Sequence, residues 1–531
     1  MLAEARYYSR MAIGIAEMLR TPPPAAAEAM LRDQFLHREE HFLHLAEHVI
    51  FAQPDHPYHR MFRHAGCAYS DLAHQVKTDG LEVTLLQLRH AGVYLSHDEF
   101  KGKVPVVRGG ESFSVKPSTF QNPLVTGWMQ SSSSGSRGAP VRSAQSTLFK
   151  LHREAYSMLR IQEFGLAARA QVEVKAILPS TSGLNPALRA KRLGTRLERW
   201  FVPGSNPHYR LATAAMVTIG NLLGAGAPYP RYLPPNDFSP VVDFVAQRQA
   251  TGQLCSLRGF ASPLSRIAAC ARERGVALDG AYFFTGGEPL TPAKRSLIES
   301  TGAEAYPSYA TSEVGHIGEA CRQIRTGNCV HVFEDSIAAI SFRRKTPLYG
   351  VEVDSLHFST LLPYAPYVFV NVEMDDVGVL SRSVCDCVYG RLGFTLHVAD
   401  IGSFGKLTGQ GVTLVGTDLV RILEESLPAR LGGAPGDYQL VETDSGGQTD
   451  LQLYISPRTG VVDPARARAV FLELLKSCYG GSLADRLWGY SEGFRVILAE
   501  PLSTGSGKVH PLHLLGTGTA DRFNLAKSNV T

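Results

Sequence analysis

Residues 131–140 read Ser-Ser-Ser-Ser-Gly-Ser-Arg-Gly-Ala-Pro, and this composition suits a loop that surrounds phosphate. Serine hydroxyls and backbone N–H groups donate hydrogen bonds to phosphate oxygens, and glycine lets the backbone approach without a Cβ atom. Arg137 adds a fixed positive charge. A solvated linker can have the same composition, so the neighbouring segments decide between the two interpretations.

Two further polar segments each follow an apolar run that is typical of a buried strand. The run 282–284 leads into Thr-Gly-Gly-Glu-Pro at 285–289, and the run 303–309 leads into Ala-Thr-Ser-Glu at 310–313. A helix between them begins after Thr291, a residue type that caps helices, with proline at the first helical position. Ligands bind at the carboxyl ends of parallel strands, so we expect these two loops to lie side by side.

Four potential metal ligands come from two other segments: Cys321, His331, Cys385 and Cys387. Three thiolates and an imidazole suit tetrahedral Zn²⁺. The Cys-x-Cys spacing is less specific than Cys-x-x-Cys, so ordinary buried thiols are the alternative. Cys329 is a rival ligand.

The elements around these residues predict an α/β protein with a large N-terminal domain and a small C-terminal domain. A chain of 531 residues exceeds what one hydrophobic core usually serves. From about residue 80 to 290, apolar strand-like runs, including 171–178 and 214–223, alternate with helical stretches. This alternation predicts mainly parallel sheets covered by helices.

Beyond about residue 405 the pattern predicts a small, mobile α+β domain. Helices are expected from Thr417 and from Asp463, strands near 437–442 and 450–456, and a last strand at Phe494–Ala499. The predicted division is an N-terminal helical segment at 1–80, a large domain at 81–404 and the small domain at 405–531.

Composition describes an ordinary globular protein and excludes several classes. Hydrophobic residues make up 44% and charged residues 19%, with a formal net charge of +4, which gives no argument for a nucleic-acid partner. One local run is basic and indicates either a solvated helix face or a site for a phosphorylated partner. It consists of Arg189, Lys191, Arg192, Arg196 and Arg199.

The chain carries no pattern of a secretory signal or a membrane span. Its early apolar run at 11–16 is cut short by Glu17, and the uncharged stretch between Arg210 and Arg231 contains prolines and glycines, which we interpret as buried strand and turn. Eight cysteines in so long a chain do not form a disulfide scaffold. We therefore expect a cytoplasmic protein.

Taken in order, these motifs resemble the adenylate-forming superfamily and, within it, the phenylacetate-CoA ligase group. The resemblance depends on the serine and glycine loop, Gly-Gly-Glu-Pro at 286–289, Tyr-Ala-Thr-Ser-Glu at 309–313, Asp-Asp-Val-Gly at 375–378 and the late Gly-Lys at 507–508. His-Pro-Tyr-His-Arg at 56–60 and His-Val-Phe-Glu-Asp at 331–335 are also similar to segments of that group. Some of its members carry a similar Cys/His/Cys-x-Cys metal site, which favours structural zinc here.

The resemblance implies a role for each matching residue. Glu313 would hold Mg²⁺, Ser312 would touch the α-phosphate of ATP, Tyr309 would stack on the adenine, and Asp376 would bind the ribose hydroxyls. Lys508 would reach the α-phosphate and the carboxylate during adenylation. The β- and γ-phosphates would lie on Ser133, Ser134, Gly135, Ser136 and Gly138, with Arg137 as a catalytic cation, and the adenine would be bordered by Gly286, Gly287 and Glu288.

Two segments depart from the pattern of the family. Ala139 stands where the phosphate loop usually has lysine, so the phosphate charge would depend on Arg137, whose forked guanidinium binds differently from an ammonium. Where the family shows Gly-Arg followed by Asp-Asp, residues 400–405 read Asp-Ile-Gly-Ser-Phe-Gly. The arginine that would contact the ribose is missing, which puts the domain rotation and the use of CoA in doubt.

The resulting prediction is an acid-thiol ligase that uses ATP and Mg²⁺ to convert a carboxylic acid to an acyl-adenylate. The first-choice acceptor is CoA, and a carrier-protein thiol or an amine is the alternative. A zinc-stabilised nucleotide-binding module without turnover is the alternative from another class, although it would not need a mobile Lys508. The expected partners are a small carboxylic acid and CoA or a carrier protein, with no nucleic acid and no membrane; a homodimer is one assembly that this allows.

Overall fold

The fold comes from a computed structural model, which describes most of the chain. The described residues are 2–125, 129–132, 142–203, 209–311, 313–324, 328–345, 352–403, 408–409, 412–413, 416–445, 448–476, 494–504 and 507–515.

The first hundred residues form helices, most of which share a hydrophobic core with strands of a large sheet. Helix α4 shows how the sequence starts one of them, because Pro57 occupies its first turn and the His56 ring accepts a hydrogen bond from the backbone N–H of Tyr58 at 3.2 Å. The helices are α1 (Leu2–Arg20), α2 (Ala27–Leu36), α3 (Arg38–Leu45), α4 (Pro57–His64), α5 (Tyr69–Asp79), α6 (Leu81–His90) and α7 (His97–Phe100).

Two short antiparallel hairpins precede the large sheet. The first pairs β1 (Val106–Arg108) with β2 (Glu111–Phe113), and the second pairs β3 (Met129–Ser132) with β4 (Arg142–Gln145). The predicted phosphate-loop residues 133–138 fall between β3 and β4 and lie outside the described residues.

A twelve-stranded sheet organises the large part of the chain, and one half of it is parallel, as the sequence predicts. The strands of this half run in the order β10-β9-β8-β5-β6-β7. They are β5 (Ala170–Val174), β6 (Leu197–Val202), β7 (Pro230–Tyr232), β8 (Cys255–Phe260), β9 (Tyr282–Gly286) and β10 (Glu304–Thr311).

Helices cover both faces of this parallel half. Apolar residues of α11, α12 and α13 pack on one face, and Phe164 of α8 packs on Phe284 and Tyr306 on the other face. The helices are α8 (Thr147–Phe164), α9 (Leu184–Arg189), α10 (Arg210–Leu222), α11 (Ser239–Ala250), α12 (Ala261–Glu273) and α13 (Pro292–Glu299).

The other half of the sheet is antiparallel and continues from β10 in the order β10-β11-β12-β16-β15-β14-β13. It contains β11 (Gly315–Glu319), β12 (Val330–Val332), β13 (Ile337–Lys345), β14 (Glu352–Thr360), β15 (Val372–Arg382) and β16 (Leu396–Ser403). The α/β class is confirmed, with the addition of this antiparallel half.

The C-terminal region builds a smaller four-stranded sheet in the order β21-β20-β19-β22, with its own hydrophobic core. Its elements are the hairpin β17 (Thr408–Gly409) and β18 (Val412–Thr413), α14 (Gly416–Arg421), α15 (Leu427–Leu431), β19 (Tyr438–Ser445), β20 (Gln448–Ile455), α16 (Pro464–Lys476), β21 (Phe494–Leu498) and β22 (Leu512–Leu515). The predicted small α+β unit is therefore present.

Polar contacts join this smaller sheet region to helices α12 and α13 of the large part. The Lys294 ammonium lies 2.7 Å from the Glu424 carboxylate, and both side chains are at most 7% exposed. Thr291 donates a hydrogen bond to the same carboxylate at 2.5 Å. A second ion pair joins Arg266 to Glu500 at 3.3 Å.

Two predictions about elements are wrong. Residues 214–223, predicted as strand and turn, belong to helix α10, whose buried face carries Thr213, Met216, Val217 and Gly220 at helical spacing. Its exposed face is also apolar, and Leu222 there is 83% exposed. Composition alone therefore predicted a fully buried segment. The strand at 494–498 is not the last one, because β22 follows and pairs parallel with β19.

Within the ranges that the structure describes, none of the helices combines the length and the apolar character needed to cross a bilayer.

Candidate active site and metal centre

The two polar loops predicted from the sequence lie side by side at the carboxyl ends of β9 and β10. These strands are parallel neighbours, with Pro307 opposite Thr285, and the Ser308 hydroxyl donates to the Thr285 carbonyl at 3.0 Å. Gly286 is needed at this point, because a Cβ atom there would lie 2.5 Å from the Ser308 hydroxyl oxygen. Helix α13 between the strands begins as predicted, with the Thr291 hydroxyl accepting the backbone N–H of Lys294 at 3.3 Å.

Lys508 reaches this edge of the sheet from the C-terminal region. Its ammonium donates to the Gly287 carbonyl oxygen at 3.0 Å and lies 4.4 Å from the centre of the Phe260 ring. The backbone of Lys508 is fixed by hydrogen bonds with Thr504 at 3.1 and 2.8 Å. The late Gly-Lys pair and the Gly-Gly-Glu-Pro loop are 221 residues apart in sequence and in contact in the fold.

Glu288 anchors the Gly-Gly-Glu-Pro loop to the start of helix α12. Its carboxylate accepts the backbone N–H of Ser262 at 2.8 Å and the Ser262 hydroxyl at 3.0 Å. A carboxylate at a helix N-terminus satisfies free N–H groups and interacts favourably with the helix dipole. Burial raises the pKa of Glu288, and the ammonium groups of Lys294 and Lys508 oppose that shift.

Tyr309 and Asp376 form a buried pair between β10 and β15. The Tyr309 hydroxyl donates to the Asp376 carboxylate at 2.7 Å, and its ring packs edge to face on Phe358 with the centroids 5.9 Å apart. Burial raises the pKa of Tyr309 far above its usual value, and the neighbouring carboxylate acts in the same direction. The hydroxyl therefore stays protonated and orients the aspartate.

Glu313 has a partner that the sequence did not reveal. The Lys101 ammonium lies 2.5 Å from the Glu313 carboxylate, with side-chain exposures of 25% and 12%. Lys101 follows helix α7, whose first turn is closed by reciprocal hydrogen bonds between Ser96 and Glu99. No local pattern relates residues 212 positions apart. Ser312, the other residue expected at this loop, lies outside the described residues.

The four predicted metal ligands come together at β12 and at the ends of β11 and β15. The candidate ligand atoms of Cys321, His331, Cys385 and Cys387 all lie within 4.8 Å of one another. The sulfurs of Cys321 and Cys385 are 3.7 Å apart, and the Cys387 sulfur is 3.3 Å from His331 Nε2. Metal–sulfur bonds of about 2.3 Å in a tetrahedron place two sulfurs about 3.8 Å apart, so this arrangement fits zinc.

The chemistry of the donor set also fits a metal cation. The hydrogen bond between Cys387 and Cys321 lowers the pKa of Cys321 and raises the pKa of Cys387, so one thiolate is favoured without a metal. A bound cation would stabilise the other thiolates. The chain between Cys385 and Gly390 turns tightly, because a Cβ atom at Gly390 would lie 1.6 Å from the Cys385 carbonyl oxygen.

Cys329, the rival, does not belong to this group of ligand atoms. Sequence reasoning missed His397, whose Nε2 lies 3.4 Å from His331 Nε2. The only signal was strand pairing, since His331 and His397 face each other across β12 and β16.

Comparisons with known proteins identify the fold. The chain is similar to a crystal structure of 2-hydroxyisobutyryl-CoA ligase in the postadenylation state in complex with 2-HIB-AMP, with a TM-score of 0.53 and 15% identity over 96% of this chain and 93% of that chain. A second structure of that ligase, in complex with R3-HIB-AMP, gives a TM-score of 0.52 at the same identity and coverage. No model of a protein family matches the sequence, and a search of curated proteins finds no match.

The protein therefore shares its fold with 2-hydroxyisobutyryl-CoA ligase. At 15% identity the similarity identifies the fold, and the activity has to be argued from the site itself.

Proposed function

We propose that the protein activates a carboxylic acid with ATP and passes the acyl group to CoA. In the first step a carboxylate oxygen of the acid attacks the α-phosphorus of ATP, so that an acyl-adenylate forms and pyrophosphate leaves. In the second step the CoA thiol loses its proton and its sulfur attacks the acyl carbon, so that a thioester forms and AMP leaves.

The observation that carries this proposal is the position of Lys508 at the Gly286–Gly287 loop. An attacking carboxylate and the α-phosphate are both anionic, so their approach needs a fixed cation between them. A lysine held at the end of β9, 3.0 Å from a backbone carbonyl, is placed at the edge where ligands of such sheets bind. A nucleotide-binding module without turnover would gain nothing from an ammonium in this position.

The ATP contacts proposed for the remaining residues follow the resemblance of the motifs. Residues 133–138, with Arg137, would hold the β- and γ-phosphates, and Ser312 would touch the α-phosphate. Gly286, Gly287 and Glu288 would border the adenine. The ribose would lie against Asp376, whose carboxylate is already oriented by the Tyr309 hydroxyl.

Magnesium fits the Glu313 carboxylate, because Mg²⁺ prefers oxygen ligands. When bound, it would supply positive charge to the phosphates during the displacement. Without the cation, the Lys101 ammonium lies 2.5 Å from the Glu313 carboxylate and compensates its charge. Lys101 would therefore compete with the cation for Glu313.

A structural zinc ion is proposed on Cys321, His331, Cys385 and Cys387. His331 lies on β12, Cys321 follows β11, and the other two cysteines follow β15, so the ion would link three strands of the sheet. With all four positions taken by protein ligands, it would have no open site for catalysis.

The narrower features are proposals of the same kind. Membership of the phenylacetate-CoA ligase group rests on the motifs, as do the domain limits at 80 and 404. CoA is preferred as the acceptor over a carrier-protein thiol or an amine.

Acid-dependent exchange of labelled pyrophosphate into ATP tests the function directly. The wild-type protein should catalyse exchange with Mg²⁺ and a suitable acid, and Lys508→Ala should not. Lys77→Ala, an exposed lysine of helix α5, is the matched control and should retain exchange. Absence of exchange and of any adenylate by mass spectrometry, over aryl, fatty, amino and dicarboxylic acids, would refute the proposal.

A further inference from the structure

A small cavity lined by charged side chains lies between helix α8 and the middle of strands β5 and β8. Its volume is about 50 Å³, and its lining includes Arg160 of α8, Arg189 of α9, Glu173 of β5 and Arg258 of β8. A water molecule occupies about 30 Å³ of the liquid. The cavity therefore suits a group of a few atoms and is far too small for a nucleotide.

Positive charge exceeds negative charge around this cavity. Glu173 lies 3.0 Å from Arg258 and 3.7 Å from Lys175, and Glu319 pairs with Arg160. A third carboxylate, on Glu154, pairs with Arg192 at 2.6 Å. The three acidic groups near the cavity thus all have basic partners already.

Of the arginines that line the cavity, Arg189 forms no ion pair with a carboxylate within the described ranges of the chain. Its Nε donates to the Asn185 carbonyl oxygen at 3.2 Å. Burial lowers the pKa of Arg189 to about 9, and Arg153 adds to that shift. The Glu154 carboxylate opposes this shift only in part. Because Arg189 is half-buried and has no direct ion pair, an anion entering the cavity would be stabilised.

The cavity and the site of Lys508 lie along the same strand. Side chains two residues apart on a strand point to the same face, so Arg258 and Phe260 of β8 share one face of the sheet, about 7 Å apart along the chain. The Lys508 ammonium lies over the Phe260 ring. An acid whose reacting carboxylate met Lys508 would extend along this face toward Arg258.

Arg160, on the α8 side of the cavity, is held in place by its ion pair with Glu319. Its partner Glu319 also accepts a hydrogen bond from the Tyr389 hydroxyl at 2.9 Å, and Tyr389 belongs to the turn that follows Cys387. Arg160 is therefore paired with Glu319, whereas Arg189 has no carboxylate partner in the part of the chain that the structure describes. The residue best able to recognise an incoming anion is Arg189.

We propose that this cavity receives a second anionic group of the acid substrate, a carboxylate or a phosphate at the end remote from the reacting carboxylate. The substrate class is then a dicarboxylic acid or a phosphorylated carboxylic acid. This inference depends on the adenylating function proposed above. The cavity would determine which acid is activated and would not contact the acceptor.

Pyrophosphate exchange with paired acids tests the inference. The probes are succinate, glutarate and 3-phosphonopropionate, each compared with its monomethyl ester or with butyrate. Wild-type protein should favour the dianionic members, and Arg189→Gln should raise KM for them by about tenfold to a hundredfold, the range for losing a hydrogen bond to a charged group, with little change for the monoesters. Arg189→Lys should keep part of the preference, and Arg272→Gln, an exposed arginine of α12, should keep all of it.

The outcomes separate this inference from the proposed function. If monoanionic acids are activated as well as dianionic ones, or if Arg189→Gln treats both alike, the cavity proposal is wrong while the adenylating function stands. If Arg189→Gln changes only KM for CoA, the cavity serves the acceptor and the proposal is overturned. Thermal unfolding gives a second readout, since glutarate or 3-phosphonopropionate should raise the Tm of wild-type protein and not that of Arg189→Gln.

Discussion

Replacing Lys508 by alanine separates the two half-reactions that the proposed function requires. In the absence of substrates the ammonium donates an exposed hydrogen bond to the Gly287 carbonyl and lies over the Phe260 ring. Exposed contacts of this kind contribute on the order of 1 kcal/mol or less. The variant should therefore fold normally, with an almost unchanged free energy of unfolding.

The effect on adenylation should be much larger, because the charge acts only when the two anions meet. A unit charge about 4 Å from another contributes about 4 kcal/mol at an effective dielectric constant of about 20. Loss of one donor that stabilises a transition state costs about 2.7–4 kcal/mol in measured cases. We expect adenylation by Lys508→Ala to fall by roughly a hundredfold or more, with ATP binding little changed.

Two assays are needed, pyrophosphate exchange for the first step and thioester formation from chemically supplied acyl-adenylate for the second. The second step does not bring two anions together at the α-phosphorus, so it should survive the substitution largely intact. Adenylation at the wild-type rate would refute the role of Lys508. An equal loss in both assays would show that the substitution disturbs the fold or the binding of the adenylate instead.

Three further predictions concern the metal sites and the nucleotide. Cys385→Ser should lower the zinc content, measured by elemental analysis, from about one per chain, and it should lower the Tm. Cys270→Ser, which changes another half-buried cysteine, should retain the metal. Absence of zinc from wild-type protein purified without chelators would contradict the site. Lys101→Met should reduce the Mg²⁺ concentration needed for exchange by about two- to fivefold, because a competing ion pair is worth about 1 kcal/mol or less, and an increased requirement would mean that Lys101 assists Glu313. Tyr309→Phe should raise KM for ATP by about tenfold, the cost of a buried hydrogen bond to a charged group, and an unchanged KM would argue against ribose binding at this pair.

Local signals in the sequence predicted the parts of the site that local chemistry controls. The helix between the two strand-end loops was correctly placed, because the Thr291 cap and the following proline specify its start without help from the rest of the fold. The cysteines and histidine were correctly grouped, because few other roles need thiols and an imidazole in such segments. The resemblance assigned Lys508 and Gly287 to one nucleotide site without predicting their contact, which the structure shows.

Features that arise from distant packing could not be predicted. Lys101 and Glu313 meet because α7 packs on β15 of the same sheet, and no pattern in either segment indicates a partner. The basic run beginning at Arg189 was interpreted as a solvated helix face or a site for a phosphorylated partner, whereas the Arg189 side chain lines a cavity with residues of α8 and β8. Helix α10 was misassigned because its exposed leucines hid the helical spacing of its buried face.

The pair between Lys294 and Glu424 has a consequence for any movement of the smaller sheet away from α13, which the proposed two-step reaction would use. Two charges that are at most 7% exposed attract each other while the surfaces are joined, and water can solvate both as soon as the surfaces part. Separating the two surfaces therefore costs less free energy than separating an apolar contact of the same size, because water solvates exposed charges but does not solvate exposed apolar surface favourably. The hydrogen bond from Thr291 fixes the orientation of the carboxylate at each return. Such a contact specifies one docked geometry and still permits repeated release, which an enzyme that positions Lys508 in one step and withdraws it in the next would require.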